Sequence, residues 1–392
     1  MRGRRWMAVL GGFALLLAGC QGSTERDRDN PQPVSPAWQQ VTLPAPPGPP
    51  GRLLLRDAVA CAGRWYVVGG VADAAGATRP AAWTSGDGSS WTSLPIVADS
   101  FYGKQNVLYS VGCRDGVAAV VGAKVGGAHG YPRVSTWRQR DDGALVEVAA
   151  SFETYGGPKA INVARLAGGP AGWLIVGNRS SGAAAWVSPD AADFVLIEGA
   201  PELASDARGV SWAFDAVAGP GGWLAVGGVL PAGRIDRDPA AWTSADGRSW
   251  RRTTLPGSAD HEELQRVVLA GDTAVAVGLR GRTFGAWRQS PGGDWVAAGG
   301  FGALGAGGVP SVSSLGAAGG RLVAAVSDGA RHSLWTSSDL GGSWHEVVPA
   351  TGLPAGADRD VSVLAVGERW WLAVDDGTRS GFWSAPAGPA PG

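Results

Sequence analysis

Lysine is nearly missing from this 392-residue chain: Lys104, Lys124 and Lys159 are the only three among 33 basic residues. Charge of either sign is scarce, since Asp, Glu, Lys and Arg make up 17% of the residues and sum to −1. That balance gives no reason to expect binding to bulk DNA or RNA, while 45% hydrophobic residues exclude a disordered tail. The four histidines, His129, His261, His332 and His345, are dispersed, with no pair at metal-ligand spacing. A Gly-rich phosphate loop ending in Lys-Ser/Thr is absent, as is a Gly-x-Ser-x-Gly elbow. Asp236-Arg237-Asp238 and Asp358-Arg359-Asp360 lack the further oxygen ligands of a calcium loop and read as solvated turns. No metal or cofactor is expected. Helical spacing of apolar residues never persists, which leaves strands.

What the chain has in excess is 63 Gly, 26 Pro and 19 Trp. Its first residues form a distinct segment. Arg2, Arg4 and Arg5 precede Trp6–Ala18, an apolar or glycine stretch of 13 residues that ends in Leu17-Ala18-Gly19-Cys20. Thirteen residues fall short of the roughly 20 that cross a bilayer as a helix, so the stretch reads as a secretory leader. The motif resembles the lipobox of bacterial lipoproteins. That resemblance implies cleavage after residue 19, a diacylglyceryl group on Cys20, and a protein held by lipid on the outer face of the cytoplasmic membrane in a bacterial cell envelope. The polar, Pro-containing segment 20–36 reads as a flexible tether.

Cys61 and Cys113 are then an even pair in an oxidising compartment. Joined, they would close a loop of about 50 residues and add roughly 4 kcal/mol in the chain-entropy model. Two buried free thiols are the alternative, and the compartment favours the disulfide.

A tryptophan preceded by small or polar residues recurs at Trp83, Trp137, Trp186, Trp242, Trp287, Trp335 and Trp383, at intervals of 54, 49, 56, 45, 48 and 48 residues. Ahead of each stands a short apolar run, such as Val67-Val68-Gly69, Ile175-Val176-Gly177 or Ala276-Val277-Gly278, and ahead of that another apolar segment. Four short strands per unit of 45–56 residues is the size of a propeller blade. Seven units predict an all-β, seven-bladed propeller of four-stranded antiparallel blades over 37–386, with 387–392 as a tail.

The seventh unit stops after Trp383 without its fourth strand. Trp38-Gln39-Gln40-Val41-Thr42-Leu43-Pro44 matches the outer-strand segment Trp250-Arg251-Arg252-Thr253-Thr254-Leu255-Pro256. The first strand is therefore expected to complete the last blade and remove the exposed edges.

Three units carry a sharper motif: Ser85-Gly86-Asp87-Gly88-Ser89-Ser90-Trp91, Ser244-Ala245-Asp246-Gly247-Arg248-Ser249-Trp250 and Ser337-Ser338-Asp339-Leu340-Gly341-Gly342-Ser343-Trp344. The last fits Ser-x-Asp-x-Gly-x-Ser/Thr-Trp; the first two are one residue shorter. The motif resembles the Asp-box, or BNR, repeat of propellers that include sialidases and many non-enzymatic surface proteins. The resemblance implies a structural role for Asp87, Asp246 and Asp339 on the face away from the ligand: the carboxylate accepts turn N–H groups, Gly takes a positive φ, and Trp packs.

On the other face lie the longest loops, Val71–Pro80, Ala98–Asn106, Ala123–Arg133, Ser151–Ala160 and Val229–Pro239. They carry Tyr102, Lys104, His129, Tyr131, Glu153, Tyr155, Asp236 and Asp238. An arginine also recurs before each third strand: Arg79, Arg133, Arg179, Arg237, Arg282, Arg331 and Arg379. Turned toward the channel these seven would make a cationic ring for carboxylate or phosphate; alternatively they are inter-blade ion pairs encoded by the repeat, which the presence of one in every blade favours.

Sialidase chemistry would need three arginines on the carboxylate, a Tyr with a Glu partner, an Asp, and an early Phe/Tyr-Arg-Ile-Pro segment. Tyr131-Pro132-Arg133-Val134 has similar composition in another order and lies in the second unit. None of the family's catalytic residues transfers. The expectation is a monomeric, non-catalytic propeller that binds a protein or glycan through its loop face, with a sialidase-like glycoside hydrolase as the alternative.

Overall fold

The Val-Val-Gly runs and the recurring tryptophans form the second and third strands of seven antiparallel sheets. The computed structural model describes residues 32–126, 132–255, 257–290, 292–354, 359–366 and 368–387. The leader 1–19, Cys20, most of the segment 20–36, His129, Tyr131 and the end of the tail lie outside the described residues. From Pro33 onward the chain forms one compact unit.

The first blade is Arg52–Cys61, Arg64–Ala72, Thr78–Ser85 and Trp91–Ser93, counted outward from the axis. The innermost strands of the next six are Val107–Arg114, Ala160–Gly169, Val210–Gly219, Glu262–Ala270, Ser311–Ala318 and Asp360–Val366. The second blade gains a fifth strand, because Ile96–Val97 of the incoming connection pairs in parallel with Leu145 and Val146. Closure follows the expectation: Gln39 pairs with Ser384 and Gln40 with Trp383. Before reaching that strand, Val34, within the span read as a tether, clips the outer edge of the sixth blade through Val34 N to Glu346 O and Val348 N to Val34 O, both 2.8 Å.

A bulge explains the glycine of the repeat. In six innermost strands the register slips by one residue at the same place, between Leu55 and Asp57, Leu108 and Ser110, Val163 and Arg165, Ala213 and Asp215, Leu264 and Arg266, and Val312 and Ser314. Opposite the slip lie Gly69, Gly122, Gly177, Gly227 and Gly278 in the first five. The bulge drives the inner strand's backbone toward its neighbour, so that a Cβ on Gly69, Gly227 or Gly278 would collide with the carbonyl oxygen of Leu54, Trp212 or Glu263.

Each tryptophan of the repeat anchors a connection or packs a blade. Trp83, Trp137, Trp186, Trp242 and Trp287 are fully buried. The indole N–H groups of Trp83, Trp186 and Trp242 donate to Pro44 O, Thr154 O and Glu202 O at 2.8, 2.6 and 2.9 Å, all on segments that lead into the blade. A large apolar ring is thereby buried with its one polar atom satisfied.

The three Ser-x-Asp turns join third to outer strands, on the face opposite the longest loops. Asp87 Oδ1 accepts Ser89 N and Ser90 N at 2.8 and 2.7 Å, and Asp246 Oδ1 accepts Arg248 N and Ser249 N at 2.8 Å. Asp339 accepts Ser343 N at 2.9 Å. Gly88, Gly247 and Gly341 take φ of +71°, +73° and +85°. The third blade holds a fourth such turn that its sequence conceals. Asp190 accepts Ser188 Oγ at 3.1 Å and Ala192 N at 2.9 Å, but Ala191 stands at φ +63° where the others have Gly, and Phe194 stands where they have Trp.

Cys61 and Cys113 form a disulfide between the ends of the first two innermost strands, with Cα atoms 5.4 Å apart.

Candidate functional site

The residue after each bulge decides how neighbouring blades are joined at the axis. Asp57 Oδ2 accepts Val111 N at 3.0 Å, Ser110 Oγ accepts Leu166 N at 3.0 Å, Asp215 Oδ2 accepts Val267 N at 3.1 Å and Ser314 Oγ accepts Val363 N at 2.7 Å. Ser362, in the strand without a bulge, donates to Arg56 O at 2.6 Å. Two joints depart from this pattern because an arginine occupies the position. At Arg165 the joint passes to Asn178, whose amide bonds both the N–H and the carbonyl of Ala213 at 2.9 Å. At Arg266 it passes to Gln265, whose Oε1 accepts Val312 N at 2.6 Å. Amide side chains thus release two guanidinium groups into the channel.

Those groups meet. Arg165 NH2 and Arg266 Nε both donate to Ser313 O of the sixth blade, at 3.3 and 3.0 Å. Arg165 NH1 also reaches Asp57 Oδ2 at 3.1 Å and Tyr109 O at 3.2 Å. Arg56 extends Nε to Asp360 and NH1 to Asp375, both at 3.2 Å, and Arg52 pairs with Asp375 as well. Above them opens a cavity of about 670 Å³ on the loop face, lined by Arg56, Arg165, Arg266, Arg359, Asp360 and His332 among others.

The balance of these charges is uneven. Burial and the repulsion of Arg165 pull the Arg266 guanidinium down to about 10, against the attraction of Asp215, Asp57 and Asp360. It remains charged at neutral pH. Burial also acts on Arg165, but the same three carboxylates outweigh it and raise its affinity for the proton. Burial raises Asp215 and Asp360 despite their arginine neighbours. Burial pushes the Tyr109 phenol up, and its hydroxyl donates to Val163 O at 2.8 Å.

A second opening lies between the second and third blades. A groove of about 490 Å³ runs between Val125, Val134, Phe152, Tyr155 and Ile161, and adjoins a smaller one of about 330 Å³ toward Tyr102 and Ser100. Residues of three of the five long loops line it, from Ala98–Asn106 and Ser151–Ala160 and, of the stretch 123–133, Ala123, Val125, Gly126, Pro132 and Arg133. Arg133 lines both parts, its guanidinium carbon 4.9 Å from the Phe152 ring centre and 5.5 Å from that of Tyr102. Tyr155 closes a single helical turn, Phe152–Tyr155, and its hydroxyl lies 3.3 Å from Thr136 Oγ1; burial raises it too. Glu153 of the same turn is exposed.

The seven arginines before the third strands are not gathered at the axis, and none lines the channel cavity among the described residues. Arg179 pairs with Glu198 at 3.1 Å and donates to Gly156 O at 2.7 Å, Arg237 pairs with Glu263 at 2.6 Å, and Arg79 donates to Pro47 O at 3.2 Å. Arg282, Arg331 and Arg379 are exposed. The residues that do face the channel, Arg56, Arg165 and Arg266, are charges set within innermost strands rather than loops: Arg165 is alone in Ala160–Gly169, Arg56 stands beside Asp57 in Arg52–Cys61, and Arg266 follows Glu262 and Glu263 in Glu262–Ala270. Among the described residues no three His, Cys, Asp or Glu side chains gather to hold a metal ion.

No protein-family model matches the chain, and no curated protein matches it in sequence. Solved structures do resemble it. The β-propeller domain of the Trilobed protease from Pyrococcus furiosus, described as having an open velcro topology, aligns with a TM-score of 0.50 at 8% identity over 86% of this chain and 96% of that one. A Trypanosoma rangeli sialidase in complex with the inhibitor DANA aligns with a TM-score of 0.42 at 11% identity over 91% of this chain, which spans 58% of the sialidase's length. A β-propeller domain from Myceliophteria thermophila aligns with a TM-score of 0.49 at 10% identity, covering 82% of this chain and 93% of that one. At such identities the likeness concerns the fold alone.

Proposed function

We propose that this protein is a lipid-anchored, extracytoplasmic propeller that binds an acidic glycan or protein segment at the mouth of its channel and does no chemistry on it. The observation that carries the reading is the meeting of Arg165 and Arg266 on one carbonyl oxygen. A carbonyl supplies half of what a carboxylate would, so two planar forks facing the cavity retain donors for an anion. The carboxylates nearby are already engaged: Asp57 by Arg165 and Val111 N, Asp215 by Val267 N and Ala216 N, and Asp360 by Arg56. Tyr109 spends its hydroxyl on a carbonyl. Among the described residues this leaves no free acid and base pair beside the two arginines for glycoside hydrolysis.

The four Ser-x-Asp turns support reading the scaffold as an Asp-box propeller, with Asp87, Asp246 and Asp339 structural. The Leu17-Ala18-Gly19-Cys20 motif supports acylation of Cys20 and placement on the outer face of the cytoplasmic membrane. Mass spectrometry of the protein from membranes tests the lipid: a diacylglyceryl adduct on Cys20, lost in Cys20→Ser, is expected.

Binding is tested with the purified soluble chain against acidic and neutral glycans and acidic peptides. Acidic ligands are expected to bind, and Arg266→Gln to weaken them at least tenfold while the chain stays folded. A sialidase-like hydrolase, the second reading, is favoured by the Asp-box resemblance alone; release of a sialoside reporter by the wild-type chain, lost in Arg266→Gln, would replace binding with catalysis.

A further inference from the structure

Arg133 differs from the other six arginines of its repeat position. Like Arg79 and Arg237 it is half-buried, but its Nε is shut off from solvent and no side-chain nitrogen of it has a hydrogen-bond partner among the described residues. Arg79, Arg179 and Arg237 each donate to a carbonyl or a carboxylate, and Arg282, Arg331 and Arg379 are exposed. Two carboxylates, Asp99 and Glu147, share the smaller groove with Arg133, and no salt bridge joins either to it. Glu147 accepts Asp99 N, Ser100 N, Ser100 Oγ and Ser135 Oγ at 2.8, 2.8, 2.6 and 2.8 Å, which holds it below the ordinary range despite burial. Stacking on Phe152 and Tyr102 uses the face of the guanidinium and leaves its edge of five N–H groups unspent. A cation with no partner among the described residues, beside a 490 Å³ groove walled by Val125, Val134, Ile161 and Phe152, fits one anion with an apolar body.

We propose that the groove between the second and third blades binds a small carboxylic acid with an apolar body, its carboxylate on the edge of Arg133 and its hydrocarbon or ring against Phe152 and Ile161. The Tyr155 hydroxyl meets Thr136 and Asn162 Oδ1 accepts Asn178 Nδ2, so Arg133 is the one charged group lining the groove among the described residues. Val125, Phe152 and Ile161 are 73%, 56% and 42% exposed, which is the cost in water of a groove left empty. Among the described residues the groove and the channel cavity share only Tyr109 in their linings, and Arg133 lines the groove but not the cavity.

Calorimetric titration of the soluble chain with 2-naphthoate and decanoate, against 2-naphthamide as the uncharged body and acetate as the bare charge, tests this. Naphthoate or decanoate is expected to bind at least tenfold more tightly than naphthamide or acetate. Arg133→Gln should abolish the advantage of the charged ligand, and Phe152→Ala, at an exposed position, should weaken the acids at least threefold. Arg282→Gln, in solvent, should change nothing. Equal affinity for naphthoate and naphthamide, indifference to Arg133→Gln in a folded variant, or no binding of either acid at millimolar concentration would overturn the proposal and leave the channel reading untouched.

Discussion

Arg165 of the third blade and Ser313 of the sixth lie on opposite sides of the ring, yet the Arg165 guanidinium donates to the Ser313 carbonyl oxygen at 3.3 Å. The same side chain grips Asp57 of the first blade and Tyr109 O of the second. One residue therefore ties four blades at the axis. Arg165→Met should lower stability by about 3 kcal/mol, because it leaves the Asp57 carboxylate with only backbone donors. Asp57→Asn in the same chain should recover part of the loss, and urea unfolding of the two single variants and the double would show the two residues coupled by more than about 1 kcal/mol.

The glycines opposite the bulges carry the second expectation. Gly227→Ala places a Cβ against the Trp212 carbonyl, and either the bulge or the sheet must give. A loss of about 2–3 kcal/mol is expected. Gly221→Ala, where a Cβ meets nothing within 4 Å, should be neutral within about 0.5 kcal/mol in the same denaturation assay.

Breaking the bond between Cys61 and Cys113, which are 52 residues apart, removes a constraint on the unfolded chain. Cys61→Ala with Cys113→Ala should cost about 4 kcal/mol. The same change made with a reductant on the wild type should give a matching midpoint shift in guanidinium chloride.

Acid should loosen the turns on the face opposite the cavities. Backbone N–H groups hold Asp87 and Asp246 below the usual carboxylate range, and do the same for Asp339 against a burial that would raise it. A folded pKa below the unfolded one adds stability that is fully present above the unfolded value of about 3.9, and is lost as pH falls through the folded value. Thermal midpoints should therefore drop steeply below about pH 4. Asp246→Asn should lower the midpoint at pH 7 and flatten that slope.

Period and composition were enough for the architecture. Tryptophans at 45–56 residues, four apolar runs between them and a stray first strand dictate seven blades and a latch, because a blade buries its faces only against like neighbours. The Ser-x-Asp turns were legible where Gly and Trp stand, and hidden at Asp190, where Ala191 adopts the same positive φ.

Which charges would meet lay beyond any such reading. Arg79 and Arg165 look alike along the chain, yet one caps a loop carbonyl and the other spans the axis. The bulge sets that difference, since one extra residue in an innermost strand re-aims the next side chain, and the ring's curvature brings third, fifth and sixth blades within reach. Periodicity records what repeats; the site is made of positions at which the repeat is broken, Arg165 and Arg266 in place of the usual acceptor, and of Arg133, which stacks on aromatic rings. Only the closed ring shows what stands across from each.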